Sequence, residues 1–190
     1  MMSRVSATLA ALIAGAAFLA PAMGQEPPPD ARTIAQGATI WKEKIGCNNC
    51  HGWSGNGVPD DSRMPVGANL RDTKLNREQL VEVIKCGRPG TGMPHFDARA
   101  YTDPRCYGVT AEQLGNKVPP EWGASLIPRE IDALVAYMET RVIGRGPLTK
   151  AECEEYFGAG AQVCTTFTFG TGGAAPVPSP AARPGADPHG

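Results

Sequence analysis

The sequence predicts an all-α domain. Three observations carry this: several stretches space their apolar residues at helical intervals, capping signatures precede them, and no run alternates as a strand would. The chain has 190 residues, enough for one domain with a real core. Its 18 basic and 19 acidic residues nearly cancel, which argues against a nucleic-acid binder. A hydrophobic content of 42% with 19% charged residues marks a globular chain, while 23 glycines and 18 prolines assign much of it to loops. The mean hydropathy of −0.23 excludes a polytopic membrane protein.

Residues 1–24 read as a secretory signal peptide. Arg4 supplies the positive start, Val5 to Ala20 the apolar stretch, Pro21 its break, and Ala22-Met23-Gly24 a small-x-small cleavage site. The run is shorter than the roughly 20 residues of a membrane anchor, and no other apolar run is long enough to span a bilayer, so no span is expected in the mature chain. Export places the protein in the periplasm, where its six cysteines can oxidise. Loss of Arg4 with the leader makes the mature chain one unit more negative than the formal −1.

Residues 25–32 form an extended linker. The domain proper is expected over 33–143. Ile34, Ala38, Trp41 and Ile45 give a first helix over Thr33–Ile45, stopped by Gly46. Glycines and prolines make 52–70 a long loop. Asn76 and Gln79 form a capping box for a second helix, striped by Leu80, Val83 and Ile84 and ended by Gly87. Residues 88–96 are a tight loop, and 97–125 an irregular stretch with one helical turn at Thr110–Leu114. Pro128 then sits at a helix start, followed by Ile131, Leu134, Val135, Met138 and Val142. An extension over 144–170 opens a short helix with Thr149 and Glu152, ending at Gly158. Residues 171–190, rich in Gly, Ala and Pro, read as a disordered tail.

The chemistry lies in Cys47-Asn48-Asn49-Cys50-His51. C-x-x-C-H is the pattern of covalent haem attachment. Two thiols three positions apart on a helical turn can each add to one vinyl group of the same porphyrin, and the adjacent histidine then reaches the iron. A thioredoxin-like pair needs a preceding strand, and here a helix precedes. A zinc site needs a second ligand pair at matched spacing, which the scattered remaining cysteines do not offer.

The opposite face of the iron takes Met93, His95 or His189, or stays open. Met93 lies in Gly90-Thr91-Gly92-Met93-Pro94, where glycine and proline let a thioether approach a flat ring without backbone bulk. Met64, beside Pro65, is its main rival. His95 would make a bis-histidine site, and His189 lies in the tail. Val58 or Pro59 is expected to accept the Nδ1 proton of His51. Trp53, Arg63, Arg88 and Trp122 are placed to meet haem propionates, or serve as ordinary packed indoles and surface arginines.

The order helix, CNNCH, Gly/Pro loop, helix, GTGMP, helix resembles a class I monohaem cytochrome c over Thr33 to Val142. That resemblance implies one covalent haem c held by Cys47, Cys50, His51 and Met93, with His51 and Met93 as the iron ligands. It implies an all-α fold in which Gly37 and Trp41 cross the last core helix near Tyr137. It also implies electron transfer rather than catalysis on a substrate, so no enzyme. The segment IKCGRPGTGMPHFDARAY is most similar to periplasmic cytochromes c that accept electrons from PQQ-dependent alcohol dehydrogenases. The partners implied are a periplasmic dehydrogenase and a downstream electron acceptor. Two features depart from the family pattern: a long insert after the methionine loop, and a C-terminal extension. A haem enzyme or gas-binding protein with an open axial site is the alternative, as is a fixed electron-transfer subunit of a larger complex.

Four cysteines remain, and four thiols pair in three ways. The sequential pairing, Cys86–Cys106 and Cys153–Cys164, closes two compact segments, each stabilised by about 3 kcal/mol of loop entropy.

Overall fold

A computed structural model describes residues 27–166 and Phe169. The expected signal peptide and tail, with His189, lie outside the described residues. Helix α1 spans Ala31–Thr39 and starts where the Asp30 side chain accepts a hydrogen bond from Thr33 N at 2.8 Å. It runs into a π turn over Ile40–Lys44, in which Ile45 N donates to Ile40 O at 3.1 Å. The first helix thus starts two residues before its expected position and widens at its end. Helix α2 is the single turn Asn48–His51, and α3 spans Arg77–Cys86. The box that starts α3 is reciprocal: Gln79 N donates to Asn76 Oδ1 at 2.9 Å, and Asn76 N donates to Gln79 Oε1 at 3.0 Å.

A short α4, Ala111–Leu114, continues into a 3₁₀ turn, Gly115–Lys117. Helix α5, Pro128–Arg141, has its proline in the first turn, and Ile127 N donates to Glu130 Oε2 at 3.1 Å. Helix α6, Lys150–Phe157, is capped by Thr149 and Glu152, and a further turn, α7, Val163–Thr166, follows. The expected end of α6 at Gly158 is where its cap falls. Among the described residues there are no strands, only isolated bridges between His95 and Glu121 and between Cys106 and Val109.

Helices α1 and α5 make the main helix–helix contact. Gly37 permits it, because a Cβ there would stand 2.1 Å from Ala133 O and 2.6 Å from Tyr137 Cβ. One turn on, Trp41 is buried with its ring 5.9 Å from that of Tyr137. Leu134, Val135 and Met138 of α5 and Val142 just past its end join Ile40, Trp41 and Ile45, with Leu80 and Ile84 of α3, in one apolar core.

Two smaller clusters hold the irregular segments. The first gathers Cys86, Ala100, Tyr101 and Cys106. The second packs Trp53 with Cys153 and Cys164 under the C-terminal segment. Both expected disulfides are present, with Cα atoms 5.5 Å apart for Cys86–Cys106 and 5.7 Å for Cys153–Cys164.

Candidate functional site

The π turn delivers the chain to Cys47, and Gly46, at φ 71°, reverses it into α2. His51 N donates to Cys47 O at 2.9 Å, so both thiols and the imidazole belong to one helical turn. Cys47 and Cys50 carry no disulfide, although the other four cysteines are paired. Burial holds the Cys47 thiol up at about 12 and raises that of Cys50, so both are protonated at neutral pH.

His51 Nδ1 lies 2.9 Å from Ala68 O. With the proton on Nδ1, that bond fixes the ring and leaves Nε2 as the free lone pair. The expected partners, Val58 and Pro59, do not fill this role. The Val58 carbonyl is instead turned to Gly52, where a Cβ would stand 2.2 Å from it. The chain passes His51 a second time at Gly67 and Ala68, and Gly67 N donates to Cys50 O at 2.8 Å. Burial lowers the pKa of His51, opposed by the Ala68 hydrogen bond, so the ring is neutral as a metal ligand must be.

Met93 packs against the main core, in a loop closed by Arg88 N donating to Met93 O at 3.2 Å. Met64 is half-buried, belongs to no apolar cluster and sits in a surface turn where its N donates to Asp61 O. His95 is buried, with Nδ1 3.1 Å from Asp97 O and its ring edge-on to Tyr101. Among the described residues no cluster of three or more His, Cys, Asp or Glu could hold a metal ion, so the zinc reading of the cysteine pair lacks further ligands.

These residues fit a covalently held haem. The donor set is two unbridged thiols one turn apart beside an oriented imidazole. Trp41 Nε1, buried 6.4 Å ring to ring from His51, has no protein acceptor, so the core here has a donor to offer a polar group. Of the residues placed near propionates, Trp53 is buried against Tyr156 and Phe157 under the extension, and Arg63 pairs with Asp61 on the surface. Arg88 and Trp122 are exposed.

Sequence reasoning missed Ala68 and Gly67 as the supports of His51. It also missed Arg71, which is buried and bonds Gly146 O at 2.7 Å and Glu152 at 3.1 Å, tying the loop after the haem motif to α6. No spacing rule links residue 71 to residue 152.

Residues 32–112 match the model of a family described as cytochrome C oxidase, cbb3-type, subunit III. No curated protein and no solved structure matches the chain. The family match supports a cytochrome c family, and with it haem c and a haem-based electron-transfer function. The helices, without strands among the described residues, fit a cytochrome c fold. No helix among the described residues is long and apolar enough to cross a membrane.

Proposed function

We propose that the chain is a periplasmic monohaem cytochrome c that carries electrons from a periplasmic dehydrogenase of the PQQ type to a downstream acceptor. Cys47 and Cys50 would hold one haem covalently, and His51 and Met93 would be the side chains that ligate its iron. The observation that carries the reading is the turn Cys47–His51, with unbridged thiols and an imidazole oriented by Ala68 O.

Haem bound there supplies a one-electron couple, and thioether ligation favours its ferrous form relative to bis-histidine ligation. This chain's residues do the rest. Ala68 O orients His51, Arg88 N closes the loop on Met93 O, and Met93 and Cys47 both pack against the main apolar core. With His51 and Met93 both on the iron, no position would remain there for a substrate, so the reading is of an electron carrier and not of an enzyme.

A second reading is favoured by the family description, which names an oxidase subunit: the chain as a fixed electron-transfer subunit of a larger complex. Purification of the native protein with mass spectrometry of what accompanies it separates the two. A dehydrogenase recovered at low ionic strength supports the first. Stoichiometric oxidase subunits that survive high salt replace it with the second.

A further inference from the structure

Among the described residues only two non-glycines have positive φ: Tyr101 at 61° and Tyr107 at 54°. The left-handed region strains an aromatic side chain, and such outliers persist where something else requires them. Here the requirement is visible at the hydroxyls. Tyr101 OH donates to Cys86 O at 2.6 Å, and Tyr107 OH donates to Gly87 O at 2.8 Å. Between the two tyrosines, Cys106 is bonded to Cys86. Three attachments from one segment therefore converge on two consecutive residues at the end of α3, where backbone carbonyls have no partner within the helix.

Those two residues are the root of the methionine loop. Gly87 turns the chain at φ 64°, and a Cβ there would stand 2.7 Å from Met93 O. The next residue, Arg88, donates its N–H to that same oxygen. A shift of residues 86 and 87 is thus passed directly to Met93. Packing alone accounts for Tyr101, which is 2% exposed, but not for Tyr107, which is 38% exposed and still strained. Burial raises both phenols, Tyr101 to about 12, so both stay donors at neutral pH.

We propose that Tyr101 and Tyr107 are positioning residues that clamp the end of α3 and hold the Met93 loop closed toward the haem. The part concerning haem rests on the reading of Met93 as axial ligand.

The test uses the haem-loaded full chain and its Tyr101→Phe, Tyr107→Phe and double variants, with Met93→Ala alongside. Two quantities are read: amide hydrogen exchange at Arg88, and the affinity of the ferric protein for imidazole, which competes with a methionine ligand. Each single variant speeds Arg88 exchange and tightens imidazole binding about fivefold, as loss of one hydrogen bond predicts, and the double variant about 25-fold. Exchange in the middle of α5 stays as in the wild type, which a merely destabilised protein would not show. Unchanged Arg88 exchange, or an equal rise at α5, overturns the clamp. If Met93→Ala binds imidazole no more tightly than the wild type, the ligand reading fails, while faster Arg88 exchange in the tyrosine variants still supports the clamp.

Discussion

Gly67 stands against His51: a Cβ at residue 67 would lie 2.7 Å from His51 Nδ1 and 2.8 Å from Cys50 O. The first neighbour is held by Ala68 O and the second is backbone, so neither yields easily. Gly67→Ala is therefore expected to tilt the imidazole and destabilise the protein by about 1–3 kcal/mol. The haem-to-protein ratio after maturation and the urea midpoint check it. Wild-type values of both would refute the account of Gly67.

Gly37→Ala sets two effects against each other. Alanine favours a helix by about 1 kcal/mol over glycine. The new Cβ meets Ala133 O at 2.1 Å, and a backbone oxygen cannot move aside, so α1 and α5 must part. Overpacking of about 3 kcal/mol wins. Urea unfolding should show net loss, and a gain would mean that the two helices slide freely.

Much of the fold was legible because it is written in local signals. The capping pairs Asn76/Gln79 and Thr149/Glu152 and the proline at 128 mark helix starts within a residue of where they fall. Gly37 facing Tyr137 was implied by the family resemblance, and the crossing is there. Both cysteine pairs followed from closing compact segments. The π turn at Ile40–Lys44 was not legible, because the same apolar spacing suits an α-helix and only one extra residue distinguishes them. The partner of His51 was misjudged for another reason. Nearness in sequence favoured Val58 and Pro59, but the loop returns to the imidazole at Ala68. The salt bridge Arg71–Glu152 joins residues 81 apart and leaves no pattern to find.

That salt bridge should make the C-terminal segment acid-sensitive. Burial pushes the Glu152 carboxyl up, but Arg71 and the Thr149 hydrogen bonds more than offset this, and its pKa falls below the ordinary 4.5. A lowered folded-state pKa adds stability that is fully present above pH 4.5 and is lost as pH falls through the folded value. Glu152→Gln leaves the Arg71 guanidinium, 4% exposed, without its charge partner. The expected cost at pH 7 is about 3 kcal/mol. Urea titrations of wild type and variant from pH 7 downward should differ most above pH 4.5 and converge below it. A constant difference across that range would exclude the ion pair as its source.

Cys153→Ser with Cys164→Ser removes the link that closes the segment over Trp53. Loop entropy puts the loss at about 3 kcal/mol. The double variant should melt earlier and be cut by protease within 149–166 before the rest of the chain. Unaltered resistance would mean that Trp53 packing on Tyr156 and the Arg71 contacts suffice alone.

The central claim is that Cys47, Cys50 and His51 hold haem on one face and Met93 completes the iron on the other. The most direct measurement is the ferric absorption spectrum of the matured protein beside its Met93→Ala, Met64→Ala and His95→Ala variants, in the long-wavelength region where a methionine–iron bond absorbs. The account predicts that band in the wild type, its loss in Met93→Ala alone, and haem that stays on the polypeptide through acidified acetone in all four. A band that survives Met93→Ala, or that vanishes in Met64→Ala, or haem released into the solvent, would contradict it.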